Sequence, residues 1–271
     1  MPELPEVETI KRQLNRKIKG KKIKTVEVRL PRFVKYPLKK FKQLVAQAKI
    51  TSISRRAKLL IIELSNEYCL VIHLKLTGQL IFNGQPTKHT HLIYYFTDGS
   101  QLIHNDLRQF GFVKVIPKKK LADFFRKEKF GPEPLDKNFT LNLFKEILNK
   151  RKGAKIKPLL MDQGFIAGIG NLYSDEVLFY AKVQPFRKAG SLKPKEIERI
   201  YQGIKKILPA SIKQRGTSTD TYVDIEGKQG NYIPLLKVYQ REGQPCFICQ
   251  TKIKRLKMGG RSAHFCPKCQ K

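Results

Sequence analysis

The first eight residues, MPELPEVE, combine residue types that can do covalent chemistry. Because an initiator methionine is usually removed before a small residue, we expect Pro2 to become the N-terminal residue with a free secondary amine. An α-amino group has a pKa of about 8, so a useful fraction is an unprotonated nucleophile at neutral pH. Attack on an aldehyde-like carbon would give an iminium, with Glu3 and Glu6 as candidate proton shuttles.

The same residues also suit the start of a helix that has no catalytic role. Proline is favoured in the first helical turn, and carboxylates such as Glu3 and Glu6 interact well with the positive end of the helix dipole. The local sequence therefore leaves the catalytic and the purely structural interpretations both open.

The C-terminal cysteines have the spacing of a metal site. Two Cys-x-x-Cys pairs are separated by 16 residues, and they comprise Cys246, Cys249, Cys266 and Cys269. This spacing predicts a zinc ribbon with one structural Zn²⁺, because four protein ligands leave no open position for water. A pair of disulfides is the alternative, and the absence of a secretion signal argues against it.

Two glycine-containing turns could contact phosphates. Between the cysteine pairs, Gly259-Gly260 would let a tight turn direct Arg261 outward. In "AGIGNLYSDE" (167–176), we expect Asn171 to cap a helix whose first N–H groups face an anion. An ordinary helix-turn-helix corner, with glycines for close packing, explains the second turn equally well.

The composition favours a polyanionic partner. Lys and Arg total 55 against 22 Asp and Glu, which gives a net charge of +33, and the basic residues are spread along the chain. A compositional bias of the source is the alternative. No apolar run reaches the ~18 residues of a membrane span, and no signal peptide is evident. We therefore expect a soluble, intracellular protein, and we expect the remaining cysteine, Cys69, to be a buried small hydrophobe.

The elements that must position these residues change character along the chain. Helical periodicity near the start is followed by β-rich runs at 24–30, 59–64, 69–74, 91–96, 100–104 and 111–116. Asn83-Gly84 and Asp98-Gly99 suggest hairpins. This pattern predicts an N-terminal β-sandwich with a leading helix.

The second half of the chain is predicted to be helical. After the stiff break at 131–134, helices are expected near 140–150, 156–163, 171–181 and 194–214. The fold class is therefore α+β with several domains. We expect domains at 1–116, 137–236 and 237–271, with 117–136 as a linker.

Several motifs together resemble bacterial formamidopyrimidine-DNA glycosylase, an enzyme family that repairs oxidised purines. They are "PELPEVE" (2–8), "AGIGNLYSDE" (167–176), "GTSTDTYVD" (216–224) and "RSAHFCPKCQ" (261–270), and the resemblance extends over essentially the whole chain. It implies an N-terminal catalytic β-sandwich, a helix-two-turns-helix domain and a zinc finger.

The resemblance also implies roles for particular residues. Pro2 would be the nucleophile that attacks C1′ of the damaged nucleotide, Glu3 the acid and base, and Glu6 a supporting acid. Lys58 would act near the reacting phosphates. His73, Asn171 and Arg261 match positions that grip phosphates, and Arg261 is also linked to the lyase step.

Three further positions match the side chains that fill the gap left by an everted base. They are Leu76, Arg108 and Phe110, and strand alternation is expected to place the last two on one side. The family commonly has Met where this chain has Leu76. The loop with Thr217, Ser218 and Tyr222 matches the segment that closes over the oxidised purine.

Two other positions depart from the family pattern. Ala57 stands where glycine is usual before the lysine, and Gln240 stands where the family often reads Tyr-Gly-Arg.

The resemblance implies a bifunctional DNA glycosylase and AP lyase of base excision repair. It would act as a cytoplasmic, nucleoid-associated monomer on double-stranded DNA that contains 8-oxoguanine or formamidopyrimidines, and would cleave the strand by β,δ-elimination. One alternative is an endonuclease VIII-like glycosylase for oxidised pyrimidines, against which Leu4 argues because that group usually has glycine there. The other is a non-catalytic nucleic-acid-binding zinc-ribbon protein, which gives no reason for a Pro-Glu start together with the matched Lys58 and Asn171.

Overall fold

Helix α1 (Leu4–Lys17) begins where proline and acidic residues predict a helix start. In the computed structural model, which describes residues 1–271, Glu3 and Glu6 form a capping box at this end. The helical spacing of Val7, Ile10 and Leu14 is confirmed, because all three lie in the core. Amphipathic burial of one face therefore fixes how α1 lies on the adjoining sheet.

Nine strands follow α1 and form two sheets, which make up the predicted β-sandwich. The four-stranded sheet has the order β1-β7-β8-β6 and the five-stranded sheet the order β2-β9-β5-β4-β3. The strands are β1 (Ile23–Val28), β2 (Val34–Lys35), β3 (Ile50–Arg56), β4 (Leu59–Leu64), β5 (Tyr68–His73), β6 (Gly78–Phe82), β7 (Thr90–Phe96), β8 (Gln101–Asp106) and β9 (Phe112–Pro117). All nine were expected from sequence except β2, β3 and β6.

One of the two predicted hairpins is wrong. Asp98-Gly99 joins β7 to β8, which pair antiparallel as predicted. Asn83-Gly84 instead follows β6, whose partner is β8 rather than the next strand β7. A glycine turn signals a reversal of the chain, but it does not specify which strand becomes the neighbour.

Two short helices complete this part of the chain, α2 (Leu38–Val45) and α3 (Leu121–Glu128). Sequence analysis predicted neither, and α3 lies within the expected linker 117–136. Cys69 is fully buried as expected, and burial raises the pKa of its thiol to about 11.

The helical half agrees with the pattern of the sequence. Its helices are α4 (Leu141–Asn149), α5 (Ile156–Met161), α6 (Asn171–Ala181) and α7 (Pro194–Lys213), and strands β10 (Lys254–Met258) and β11 (Arg261–Phe265) form a hairpin near the C-terminus. No helix of the protein has the length and apolar character needed to cross a membrane.

The chain forms two compact units. Unit 1 comprises Met1–Glu128 and Ile212–Ile233, and unit 2 comprises Lys129–Ser211 and Pro234–Lys271. The segment Ile212–Ile233, which the sequence pattern grouped with the helical domain, therefore belongs to the sandwich unit. Tyr222 and Ile225 from this segment are part of the sandwich core.

Candidate functional site

In unit 1, the predicted catalytic residues lie at the buried start of α1. Glu3 and Glu6 are only 3% and 2% exposed, and Pro2 is also buried. The backbone N–H of Glu3 donates to Glu6 Oε2 at 2.8 Å, which is one half of the capping box. The helix cap thus holds both carboxylates in fixed positions next to Pro2.

Glu6 also contacts the predicted lesion loop. Its Oε1 accepts a hydrogen bond of 2.9 Å from the backbone N–H of Thr217. One carboxylate therefore bridges the start of α1 and a loop that lies 211 residues further along the chain.

The third carboxylate, Glu8, has a different role. Hydrogen bonds from Lys11 and Arg12 hold the pKa of Glu8 below its ordinary value, although burial, the largest single influence, opposes this. Arg55 in β3 donates to Glu8 Oε2 at 3.1 Å and to the carbonyl of Ala57 at 2.7 Å. Arg55 thereby fixes the β3–β4 turn against α1.

That turn carries the predicted lysine. Lys58 is 7% exposed, and it follows Ala57, whose φ of 53° lies in the left-handed region. Gln240 has a φ of 56° as well. Both residues therefore lie at left-handed positions, where glycine would be less strained.

His73 lies at the end of β5, directly opposite Leu59. Burial lowers its pKa to about 3, and the charges of Lys75 and Lys58 add to the effect. The imidazole is therefore neutral at pH 7. Because Nδ1 accepts a 2.9 Å hydrogen bond from the backbone N–H of Lys75, Nε2 carries the proton and is available to donate to an anion.

Arg108 and Phe110 lie side by side, but not for the predicted reason. They belong to the turn between β8 and β9 rather than to a strand, so strand alternation is wrong as the explanation. The Arg108 guanidinium stacks 4.9 Å from the centroid of the Phe110 ring, which is 53% exposed. This cation–π contact pairs a cation with an exposed aromatic ring.

Asp106, which sequence analysis missed, organises this turn. Its fully buried carboxylate accepts from the backbone N–H of Gly111 at 2.7 Å and of Arg108 at 3.2 Å. It also accepts from the Thr77 hydroxyl, beside the half-buried Leu76. One carboxylate thus connects the segments that carry all three predicted gap-filling residues.

The predicted lesion loop is held mainly by its own side chains. The Ser218 hydroxyl donates to the carbonyl of Tyr222 at 2.7 Å and accepts from the N–H of Gly230 at 2.9 Å. Tyr222 is buried in the sandwich core and donates to the carbonyl of Arg215 at 3.0 Å. Burial, together with Glu6 and Asp224, raises the pKa of Tyr222 well above its ordinary value.

In unit 2, the Gly-Ile-Gly-Asn turn leads into α6, but Asn171 is not its cap. Gly170 is the N-cap residue and Asn171 is the first helical residue. The Asn171 Oδ1 is buried without a hydrogen-bond partner. Gln163 fixes the turn, because its amide donates to the carbonyl of Ile169 and accepts from the N–H of Gly168, both at 2.8 Å.

Asn171 lines a cavity of about 340 Å³ in unit 2, together with Tyr239, Gln240, Glu242, Arg255, Ser262 and His264. The Glu242 carboxylate is paired with Arg255 at 3.5 Å. The cavity walls are mostly polar side chains, and the cavity lies at the N-terminal end of α6. An anion would meet both the helix dipole and hydrogen-bond donors there.

A buried ion pair contacts two residues that line this cavity. Lys157 and Asp175 are 1% and 0% exposed and form a direct salt bridge. Asp175 Oδ2 also accepts from the backbone N–H of His264 at 2.9 Å, and Lys157 donates to the carbonyl of Ser262 at 2.9 Å. The pair therefore joins α5 and α6 to the β10–β11 hairpin.

The hairpin exposes Arg261 as predicted. Gly259 and Gly260 have φ values of 54° and 73°, the mirror-image turn that suits a two-residue hairpin. Met258 and Arg261 pair across it, and the Arg261 side chain is exposed.

The four cysteines form a metal-binding cluster. Their sulfur atoms all lie within 4.8 Å of one another. The Cys246–Cys269 and Cys249–Cys266 separations are 3.8 Å and 3.4 Å, too long for disulfides and close to the edge of a ZnS₄ tetrahedron. The donor set therefore fits one structural Zn²⁺.

Family models match three consecutive parts of the chain. They describe the formamidopyrimidine-DNA glycosylase N-terminal domain (residues 1–113), the H2TH domain of the same proteins (130–223) and the zinc finger found in FPG and IleRS (243–271). The chain belongs to the formamidopyrimidine-DNA glycosylase family. The expected order of sandwich, helix-two-turns-helix domain and zinc finger is therefore confirmed.

Curated relatives in this family match over the full length. The formamidopyrimidine-DNA glycosylase of Pelotomaculum thermopropionicum is 46% identical and the alignment covers 100% of this chain and 99% of the relative. The protein of the same name from Streptococcus mutans is 43% identical with full coverage of both.

Solved structures of the family are also similar. The Lactococcus lactis Fpg in complex with DNA containing an abasic site is 38% identical, has a TM-score of 0.93, and the match covers 99% of each chain. A MutM in complex with DNA containing carbocyclic 8-oxo-G is 37% identical, with a TM-score of 0.92 and full coverage of both chains.

Sequence analysis missed the residues that hold these sites in place. Asp106 carried a weak signal, since an acidic residue before a turn often accepts from the turn's N–H groups. Glu176 is fully buried and accepts from the N–H groups of 237–239. Nothing in the sequence separates such a carboxylate from a solvated one, because its donors come from a distant segment.

Proposed function

We propose that the protein is a DNA glycosylase and AP lyase of base excision repair that removes oxidised purines through a Schiff base on Pro2. The observation that carries the proposal is the buried start of α1, where Glu3 and Glu6 are fixed beside Pro2 and Glu6 joins the loop at Thr217. Membership of a family whose members are named for this activity supports it.

The first step is base removal. After Met1 is cleaved off, the Pro2 nitrogen attacks C1′ of the damaged nucleotide, the C1′–N bond to the base breaks, and the base leaves with a proton. Glu3 protonates O4′ as the C1′–O4′ bond breaks and the lone pair of the Pro2 nitrogen forms the iminium. Glu3 then removes the C2′ proton, and the electrons of the C2′–H bond move into the iminium. Successive β- and δ-elimination break the bonds to the 3′ and the 5′ phosphate.

Each unit contains donors for DNA phosphates. Lys58 and the neutral His73, with its proton on Nε2, belong to unit 1. Asn171 and Arg261 belong to unit 2, where Asn171 lines a polar cavity and Arg261 is exposed on the hairpin. These are the donor types that clamp the phosphates beside an everted nucleotide.

Leu76, Arg108 and Phe110 fill the gap that the everted base leaves. The stacked and exposed pair of Arg108 and Phe110 supports this assignment, since an Arg can pair with the orphaned base while a Phe wedges into the stack. The loop with Thr217, Ser218 and Tyr222 closes over the oxidised purine. Because the Ser218 and Tyr222 side chains are engaged within the loop, they shape it rather than read the base.

The domain division belongs to the same proposal. Residues 1–116 form the catalytic domain, 137–236 the helix-two-turns-helix domain and 237–271 the zinc finger. The lesion loop of the second domain packs with the sandwich unit. The zinc ion supplies structural stabilisation of the hairpin that presents Arg261.

Covalent trapping tests the proposal. The protein is incubated with a duplex that contains 8-oxoguanine in the presence of borohydride, which reduces the iminium to a stable DNA adduct. We expect the adduct on the N-terminal peptide at Pro2. DNA binding without any adduct would contradict the mechanism, and an adduct formed only with oxidised pyrimidines would favour the endonuclease VIII-like alternative.

Two variants separate chemistry from binding. Pro2→Gly should lose most turnover and keep much of its DNA affinity. Glu3→Gln should slow base removal by about 10²–10⁴-fold, the usual contribution of a general acid or base. Pro5→Ala, in the same turn, is the matched control and should keep both properties.

A further inference from the structure

A cavity in unit 1 that the proposed reaction does not use is lined by lysines. It has a volume of about 720 Å³ and lies at the end of α1, between the turn into β1, the start of β3 and the β7–β8 turn. The charged residues that line it are Lys17, Lys19, Lys21, Lys22, Lys49 and Asp98. Five cations thus face one carboxylate.

The cations are only partly neutralised within the protein. Asp98 pairs with Lys21, and Lys17 lies 3.7 Å from Glu226. The other three lysines of the cavity, Lys19, Lys22 and Lys49, are exposed and form no ion pair.

Two of these unpaired lysines are forced together by the backbone. Lys22 and Lys49 are directly opposed in an antiparallel bridge. The hydrogen bonds on either side run from Ile50 N to Lys21 O and from Ile23 N to Ala48 O, both at 2.9 Å. The bridge is therefore the non-hydrogen-bonded kind, in which opposed side chains are closest. Like charges in such positions destabilise a sheet, so a bound anion would reduce the repulsion between Lys22 and Lys49.

We propose that this lysine cavity binds the phosphates of a second DNA segment while a first segment occupies the catalytic site. Since α1 has 14 residues and rises ~1.5 Å per residue, the cavity lies about 20 Å from Pro2. Closely spaced phosphates on one duplex can meet several lysines at once and release their counterions. The inference rests on the proposed function only for the choice of DNA as the polyanion.

Binding of a second duplex tests the site without any reaction. The protein is saturated with a short duplex carrying a tetrahydrofuran abasic analogue, and a labelled undamaged duplex is then titrated and followed by fluorescence anisotropy. We expect the labelled duplex to bind the loaded wild type. The variant Lys19→Gln/Lys22→Gln/Lys49→Gln should bind it more than about tenfold more weakly, and the salt slope should fall by about 0.9 for each lost contact.

The matched control removes the same charge from the same unit. Lys39, Lys40 and Lys42 are exposed on α2 and outside the cavity. Their triple Gln variant should bind the second duplex like the wild type. Equal losses in the two triple variants, or no second binding event in the loaded wild type, would overturn the proposal. Trapping with borohydride on the same samples reports separately on the proposed function.

A different observation concerns the start of the lesion loop. Arg215 has a φ of 62° and is followed by Gly216 at 85°. A side chain with a Cβ is disfavoured in this left-handed region, so something must hold Arg215 there. The Arg215 guanidinium donates to Asp224 Oδ2 at 3.1 Å.

Asp224 is the centre of a buried polar cluster. Its carboxylate is fully buried and accepts four hydrogen bonds of 3.0–3.1 Å, from the Arg215 and Gln13 side chains and from the N–H groups of Glu226 and Lys228. Gln13 lies on α1 and also accepts from the N–H of Ile225. Asp224 therefore ties both ends of the loop to the helix that begins at the catalytic residues.

We infer that Asp224 is a positioning residue that fixes the lesion loop on α1 and thereby sets how the oxidised base is held. The inference rests on the proposed function. It separates the two reactions of the enzyme, because removing a base needs the loop, whereas cleavage at a preformed abasic site has no base to hold.

The test compares these two reactions in single turnover. For Asp224→Asn, base removal from an 8-oxoguanine duplex should fall by about ten- to a hundredfold, the effect of losing one hydrogen bond to a charged group. Cleavage of a preformed abasic site should be unchanged. General destabilisation would instead slow both reactions together, and that result would overturn the inference.

Two further variants complete the test. Glu226→Gln changes an exposed carboxylate of the same loop and should leave both reactions unchanged. Adding Arg215→Gly to Asp224→Asn should restore part of base removal, because glycine adopts the left-handed conformation without help. No recovery in the double variant would contradict the link between the two residues. A wild type that cleaves neither substrate would show that the proposed function itself is wrong.

Discussion

At the scale of single residues, His104 is an unusual component of the sandwich core. It is fully buried in β8, and neither ring nitrogen has a hydrogen-bond partner. The Phe33 ring packs edge-on at 4.7 Å. Burial lowers the pKa of His104 to about 3, and the nearby Asp106 offsets this only in part. His104 therefore makes folding sensitive to acid.

The direction in which pH changes the stability follows from the pKa values of His104 in the folded and the unfolded chain. Below the unfolded value of about 6.5, the unfolded chain binds a proton that folded His104 does not bind, so stability is lost as the pH falls from 6.5 toward 3. Between pH 7.5 and pH 5 this amounts to about 2 kcal/mol. His104→Leu should remove that loss, measured as the free energy of urea unfolding at the two pH values.

A second substitution separates titration from polarity. His104→Gln should also lose about 2 kcal/mol of the pH dependence, while the contribution of His73 remains. It should not gain the extra stability at pH 7.5 that His104→Leu gains by removing buried polar atoms without partners. If the wild type and both variants lost the same free energy between pH 7.5 and pH 5, His104 would not be the acid-sensitive group.

At the scale of elements, the sequence predicted what periodicity and burial dictate together. Strands β4, β5 and β7 are apolar runs whose burial is nearly continuous, and helices α6 and α7 agree closely with their predicted ranges. The zinc ribbon was predictable because ligand spacing is local. In these elements a local pattern and the tertiary environment point to the same structure.

The elements that were missed lack such a local signal. Strand β2 has two residues and exists only through its parallel pairing with β9. Strand β3 carries mostly polar and basic residues, since it lies at the edge of its sheet. Strand β6 pairs with β8 across an intervening strand in sequence. The partners of β2 and β6 are distant in the chain, and single-sequence patterns do not encode such partners. Strand β3 pairs with the adjacent β4, but its polar residues give no apolar strand pattern.

The candidate site divides in the same way. Its reactive residues could be proposed from motifs, whereas the turn that presents Arg108 and Phe110 could not. That turn is shaped by Asp106, whose acceptors serve N–H groups on the turn and a hydroxyl at Thr77. The Thr77 contact joins segments that are 29 residues apart, so it becomes visible only when the sheets are assembled.

At the scale of the whole molecule, the net charge of +33 and the few buried acids have separate explanations. The carboxylates of Glu3, Glu6 and Asp224 are buried. Glu6 accepts a hydrogen bond from a backbone N–H group and Asp224 accepts one from a basic side chain. Lysines dominate the surface instead. A polyanion-binding protein can thus keep negative charge where protons or loops must be positioned, while its surface stays basic.

Zinc removal gives the last prediction, which concerns unit 2. The C-terminal module, residues 237–271, packs around a small core that contains Phe179 of α6, Val238, Ile253 and two of the four cysteines. A segment of this size cannot bury a large apolar core, so the metal supplies much of its stability. Cys249→Ala should lose the zinc and with it the hydrogen-exchange protection of residues 237–271. Strands β4 and β5 should stay protected, and DNA affinity should fall because the Arg261 hairpin is no longer held.

Cys69→Ala, which changes a buried cysteine outside the cluster, is the control and should keep the zinc and the affinity. Unchanged DNA affinity in a verified zinc-free Cys249→Ala sample would contradict a DNA-gripping role for the module.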